Sequence, residues 1–383
     1  VLAAAAVCWT IAGTAGALPR FSVQKGEGCV LCHANPSGAG LRNLYGMDAF
    51  GARELSAKRG NAAAAEIGEA IRVGGDIRTQ AYFYRDDEGA TTTTRHGFFA
   101  MQADLYAFWE LTDGASVYLE QDVLRRTSET FGMFAPKSGR FYLKFGSFLP
   151  NYGLKIDDHT AFIRGGSVRL PLRDGMLWAP NYADTGVEVA LRLAGGEATA
   201  GVFNGGPNPL GPDARDSNDK AFLLRAESHG KLGGLGAHGG ASMYTDRSPS
   251  VDGRMVMVGA FGGVGTSEWT LTAAADVAGD YLPSAALDSG ASSLFAFAEA
   301  VARAARGVYV LARLEHMDPD LDAASGRVWR ASVGAEAFPF PHVELKPLLR
   351  LQTDSRVVRD AGAGTETAAP DVLELLLQTH WWF

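Results

Sequence analysis

Residues 342–353 read HVELKPLLRLQT. Val343, Leu345, Pro347, Leu349 and Leu351 alternate with His342, Glu344, Lys346, Leu348, Arg350 and Gln352. Successive side chains of an extended strand point to opposite faces, so period two reads as a strand with one apolar and one largely polar face. The run is about twice the usual globular strand of roughly 5–6 residues. It matches the roughly 9–11 residues that carry a tilted strand across a bilayer.

The same pattern recurs from Ile71 onward. In residues 98–111 (FFAMQADLYAFWEL), Phe99, Met101, Ala103, Leu105, Ala107, Trp109 and Leu111 are expected on one face, opposite Gln102, Asp104 and Glu110. In residues 185–193 (TGVEVALRL), Val187, Val189, Leu191 and Leu193 oppose Glu188 and Arg192. In residues 327–338 (RVWRASVGAEAF), Trp329, Ala331, Val333, Ala335 and Ala337 oppose Arg330, Ser332 and Glu336.

Strand-like segments start near residues 71, 98, 115, 139, 159, 184, 197, 219, 235, 252, 267, 290, 306, 326, 342 and 370. The connections between them alternate. Short ones fall at 112–114, 195–196, 233, 265, 305–307 and 339–341; longer polar ones include 86–94, 126–138, 173–183, 205–218 and 356–370. Strict short/long alternation is the pattern of an outer-membrane barrel with turns on the periplasmic side and loops outside. The expected fold is all-β, a transmembrane antiparallel barrel of about sixteen strands, with fourteen as the alternative. The chain has 47 glycines and 10% aromatic residues, as a strand-and-turn protein needs. The formal charge of −8 argues against nucleic acid as a partner.

Ahead of the first strand, residues 27–38 read EGCVLCHANPSG. Cys29, Cys32 and His33 form a C-x-x-C-H segment, which is a c-type haem attachment pattern. The two thiols reach the vinyl groups, and the adjacent imidazole becomes the proximal iron ligand. A zinc site would need a second Cys/His pair, and none follows. A redox dithiol would sit in a βαβ pattern, which is absent. The expected cofactor is therefore one covalent haem c. Residues 1–17, an apolar run ending Ala15-Gly16-Ala17, read as a signal peptide that carries Cys8. Residues 18–70 are then a small haem segment and residues 71–383 the barrel.

Within the haem segment, residues 41–56 read as a short helical stretch broken at Gly46, and residues 62–71 as a helix leading to the barrel. Some fifty residues are too few for an independent core, so the haem is expected to borrow the barrel mouth or lumen, with the segment as plug or cap. Met47 and His159 are the candidate distal ligands, ahead of His342 and His380. His96, His229, His238 and His316 read as ordinary hydrogen-bonding residues.

The motif FSVQKGEGCVLCHANPSG from Phe21, then YGMDAFG from Tyr45, then strands to a terminal Phe383, resembles the fused monohaem cytochrome–porins of the bacterial outer membrane, iron-oxidising members among them. The resemblance spans the chain in architecture but matches at motif level only around the haem segment. It implies an outer-membrane electron conduit. Electrons would pass between an extracellular donor or acceptor, with Fe(II) one candidate, and a periplasmic carrier such as a soluble cytochrome, the barrel resting in lipid. Fe(II) oxidase activity is a corollary. The alternatives are a haem-gated or redox-sensing porin channel and a haem-dependent outer-membrane reductase.

Overall fold

The computed structural model describes residues 19–61, 65–68, 70–88, 91–124, 128–156, 161–164, 183–193, 195–205, 219–247, 252–283, 290–323, 326–354, 357–360, 365–368 and 371–383. The expected signal peptide lies outside them.

Helix α1 (Pro19–Lys25) opens the described chain, followed by a 3-10 turn at Cys29–Leu31 and a π-helical stretch at Tyr45–Leu55. Next come β1 (Ala65–Ile67), β2 (Ile71–Glu88), β3 (Thr91–Thr112), β4 (Ala115–Asp122), β5 (Ser128–Phe134) and β6 (Phe141–Phe148). The chain continues through β7 (Asp184–Leu193), β8 (Gly196–Phe203), β9 (Ala221–Leu232), β10 (Leu235–Arg247), β11 (Arg254–Gly265) and β12 (Trp269–Pro283). It ends with β13 (Gly290–Ala305), β14 (Val308–Asp318), β15 (Val328–Ala337), β16 (Val343–Asp354), β17 (Val357–Asp360), β18 (Thr365–Ala368) and β19 (Asp371–Trp382).

Strands β2 to β16 and β19 form a closed antiparallel barrel of sixteen strands. Last strand meets first from Asp371↔Asp87 to Trp382↔Asp76, so the sheet has no free edge. The β1 strand folds back on the start of β2, and β17 pairs with β18 as a separate ribbon. The alternation sorts as the sequence implies. On β16, Leu345, Leu349 and Leu351 are exposed while Glu344, Lys346, Arg350 and Gln352 are buried. Exposed aromatics sit at both ends of the outer wall: Trp109, Trp269 and Trp381 near the short turns, Phe222 and Trp329 near the long connections. That is the girdle of a lipid-facing barrel.

Four local expectations are corrected. The strand expected near 159 is absent among the described residues; a 3-10 turn at Phe162–Arg164 stands just beyond. A strand the sequence placed inside a loop, β5, takes its place in the count. On β5 the alternation is inverted: Phe131 and Met133 point into the lumen and are buried, while Thr130 faces out. On β3, a register shift opposite Arg78/Thr79 changes the phase, so Met101 turns inward. A bulge inserts an unpaired residue and flips every side chain beyond it. The helical stretch runs through Gly46 without breaking, and the helix expected from residue 62 is instead the β1–β2 hairpin, turning at Gly68 with φ +67°.

Candidate functional site

Two segments fill the lumen. One is the N-terminal stretch, entering from the end that carries the short turns and both described termini. Its α1 packs on β9 to β12. Arg20 of α1 forms a buried ion pair with Glu336 of β15. Further on, Arg306 donates to the carbonyl of Ser56 at 2.9 Å and Ala57 N donates to Phe338 O at 2.8 Å.

The second segment is the described part of the connection after β6, residues 149–156 and 161–164, which lies against the inner wall. Gly153 N donates to Ser242 Oγ at 2.9 Å, Tyr152 Oη to Asp276 at 3.0 Å, and Phe162 N to Glu315 at 2.9 Å. Leu154, Ala161 and Ile163 pack on Phe261, Ala274 and Phe297 of the wall.

The C-x-x-C-H turn is held by its own neighbours. Cys32 N and His33 N both donate to Cys29 O at 3.2 Å. Asn43 clamps it: Nδ2 donates to Val30 O at 3.0 Å and Leu31 O at 2.7 Å, and Oδ1 accepts from Gly46 N at 3.0 Å. The turn at residues 35–38 folds His33 against Arg42 as an antiparallel bridge. Gly46 approaches so closely that a Cβ there would collide with the Cys32 carbonyl oxygen. Gly38, at φ +87°, leaves room for Cys29; a Cβ would come 3.0 Å from its Sγ.

Cys29, Cys32 and His33 all line one cavity of ≈ 330 Å³ between this segment and the barrel wall. Pockets for drug-sized ligands are about 300–1,000 Å³, so this cavity lies at the small end of that range. Both cysteines are free of disulfides. Burial pushes the Cys29 thiol up to about 12, which disfavours a thiolate for redox exchange or metal binding at neutral pH. Two cysteines and a histidine lining one cavity are the donor set that a covalent haem would require.

The distal candidates are dispersed. Met47 is buried in an apolar cluster with Phe21, Leu55, Tyr309 and Phe338, behind the cavity wall. His380 lines the cavity, but both ring nitrogens are engaged, Nδ1 with Glu344 at 2.9 Å and Nε2 with Asp76 at 2.8 Å. His342 lies in the turn before β16, its ring 6.1 Å from that of Trp382. His159 lies outside the described residues.

Sequence reading passed over one pair. His229 and His238 face each other across the β9–β10 hairpin with ring centroids 6.3 Å apart, beside Gly28. His238 lines the cavity and its Nε2 is 2.9 Å from Glu227. Symmetric placement about the turn at Gly233 is the signal that could have paired them.

Among the described residues no group of three or more His, Cys, Asp or Glu side chains forms a metal cage.

No protein-family model and no curated protein matches the chain. Solved structures do. OprB of Pseudomonas putida superposes with a TM-score of 0.59 at 10% identity, covering 82% of this chain and 94% of that one. An anion-selective porin from Comamonas acidovorans gives 0.57 at 12%, covering 82% and 99%. The outer membrane channel DcaP of Acinetobacter baumannii gives 0.54 at 13%, covering 84% and 100%. The chain thus has the fold of outer-membrane porins, with an N-terminal cysteine–histidine segment inside the barrel.

Proposed function

We propose that this is an outer-membrane barrel with a resident plug that carries one haem c, and that it works as a haem-gated, redox-sensing channel. The observation that carries the reading is the opening of Cys29, Cys32 and His33 onto one cavity inside a barrel whose outer band is apolar. Cys29 and Cys32 would hold the haem and His33 would be the proximal ligand. Bound haem supplies a one-electron iron couple. The protein places it, buries it and selects its surroundings. Met47 and His159 remain the distal candidates.

A second reading, the electron conduit, draws on a different observation. The lumen is occupied from both ends, by α1 to Leu55 on one side and by residues 151–156 and 161–164 on the other. A barrel filled in this way favours passage of electrons over passage of solutes. The donor would be extracellular, Fe(II) among the candidates, and the acceptor a periplasmic carrier.

The test is conductance of the full-length protein in planar bilayers, with haem content measured on the same preparation. A conductance that changes when the haem is reduced supports the gated channel. Negligible conductance, with Fe(II) outside a liposome reducing a cytochrome inside it, supports the conduit. Absence of covalent haem overturns both.

A further inference from the structure

At the seam between plug and barrel, Arg42 and His342 both lie against Trp382, and the two acids nearest them are held by other bases: Asp48 by Arg53, Asp76 by Arg78 and His380. Arg42, from the plug, lies with its guanidinium 4.8 Å over the Trp382 ring and lines the same cavity as Cys32 and His33. Among the described residues no carboxylate stands within ion-pair distance of Arg42. The nearby acid Asp76 is engaged by Arg78 at 3.2 Å and His380 at 2.8 Å. Four other cavity cations are paired with acids: Arg20 and Lys346 with Glu336, Arg225 with Glu227, and Arg313 with Glu299.

Trp382 is 5% exposed and lines the cavity, yet its Nε1 donor is buried without an acceptor. His342 is third, with both ring nitrogens buried and unpartnered. Burial, and then the Arg42 charge, push its pKa down against a smaller upward pull from Asp48, so at neutral pH the ring is uncharged and offers one N–H. A buried donor left unmade costs about 1–3 kcal/mol. Two such groups beside a part-buried guanidinium, itself a charged planar fork, is the arrangement that meets a carboxylate.

We propose that Arg42, Trp382 and His342 form a carboxylate-binding site at the plug–barrel seam, and that its occupant is a propionate of the haem. The choice of occupant rests on the haem reading above; the site itself does not. The site would fix the haem in the lumen through the plug and the last strand at once, in addition to the thioethers.

The experiment uses the full-length protein and the variants Arg42→Gln and Trp382→Phe. Trp382→Phe keeps a ring under the guanidinium and removes only the N–H, so it separates a hydrogen bond from a through-space charge effect. The readouts are haem content, midpoint potential, the propionate bending band in resonance Raman, and acetate binding followed by indole fluorescence.

The expected result is unchanged haem content, a shifted propionate band in both variants and a lower potential in Arg42→Gln. Acetate should not bind the wild type, because the site is filled. Saturable acetate binding to wild type, lost in Arg42→Gln, would keep the carboxylate site and overturn the propionate as occupant. No band shift and no acetate binding would overturn the site. A preparation without covalent haem would sink the haem reading alone, since the acetate arm still reports on the three donors.

Discussion

Lys144, on the barrel wall, donates a 2.8 Å hydrogen bond to the hydroxyl of Ser37 in the turn of the haem segment. The same ammonium is 2.8 Å from Glu188, and neither side chain of that pair has any solvent exposure. Phe148 lies beneath it, 4.4 Å from ammonium to ring centroid. One buried cation therefore ties the plug to β6 and β7.

Lys144→Met should be costly because it leaves the Glu188 carboxylate buried without its counter-charge. Breaking a buried pair in this way costs about 3–5 kcal/mol. Lys144→Met/Glu188→Gln should recover much of the loss, since no charge is then left alone. Denaturant unfolding of the purified barrel measures both, and equal stabilities for the two proteins would refute the assignment.

Gly46→Ala should disturb the haem segment directly. The added Cβ meets the Cys32 carbonyl, which is backbone and cannot swing aside. Overpacking of this kind costs about 1–3 kcal/mol. Haem staining of the membrane-inserted protein should fall relative to a Gly233→Ala control, whose Cβ meets nothing within 4 Å but must sit at φ +63°. Equal staining of the two would count against close packing at Gly46.

Asn43→Ala removes two donors from the turn that carries the cysteines. Val30 and Leu31 carbonyls then lose their partners, at about 1–3 kcal/mol in total. Hydrogen exchange should quicken across residues 29–43 and stay unchanged in β9 and β10. Uniform exchange behaviour would mean that Asn43 does not organise the turn.

Cys29 should be a sluggish nucleophile in protein expressed without haem attachment. Burial raises its thiol to about 12, against an ordinary value near 8.5. The thiolate is the reactive form, so alkylation at pH 8 should be about three orders of magnitude slower than for a free cysteine and rise roughly tenfold per pH unit up to pH 11. Mass mapping of the Cys29 peptide follows this, and a plateau below pH 10 would contradict the burial.

Phe162→Ala should loosen the inward connection. Phe162 is 1% exposed with the Arg330 guanidinium 3.9 Å over its ring. Emptying such a site costs about 3–5 kcal/mol. Because the loss falls on a segment in the lumen and not on the barrel ladder, bilayer conductance should rise while the barrel stays folded by circular dichroism. Unchanged conductance would show that this segment does not obstruct the lumen.

The sequence by itself determined the barrel class and the haem-type motif, and its total of sixteen strands agrees because one missed strand, β5, offsets the one expected near residue 159. Lipid and lumen alternate along every strand, so the pattern is local and survives without tertiary information, as in Val187 to Leu193. The motif is local too, three side chains within five residues.

Only the tertiary structure decided what fills the lumen, and the two strand misassignments trace to that. Phe131 and Met133 face inward because they pack on lumen contents, which inverted the pattern of β5 and hid it. Leu154, Ala161 and Ile163 imitate a strand's hydrophobicity because they are buried against the inner wall. Met101 turned inward at a bulge whose register is set by its partner strand. The site shows the same division. Cys29, Cys32 and His33 were legible in sequence, whereas Asn43, the His229–His238 pair and the seam of Arg42, His342 and Trp382 were not. Arg42 is distant along the chain from His342 and Trp382, and closure of the barrel around the plug brings them together; Asn43 and the His229–His238 pair are local, but only the folded turn and hairpin register show their contacts.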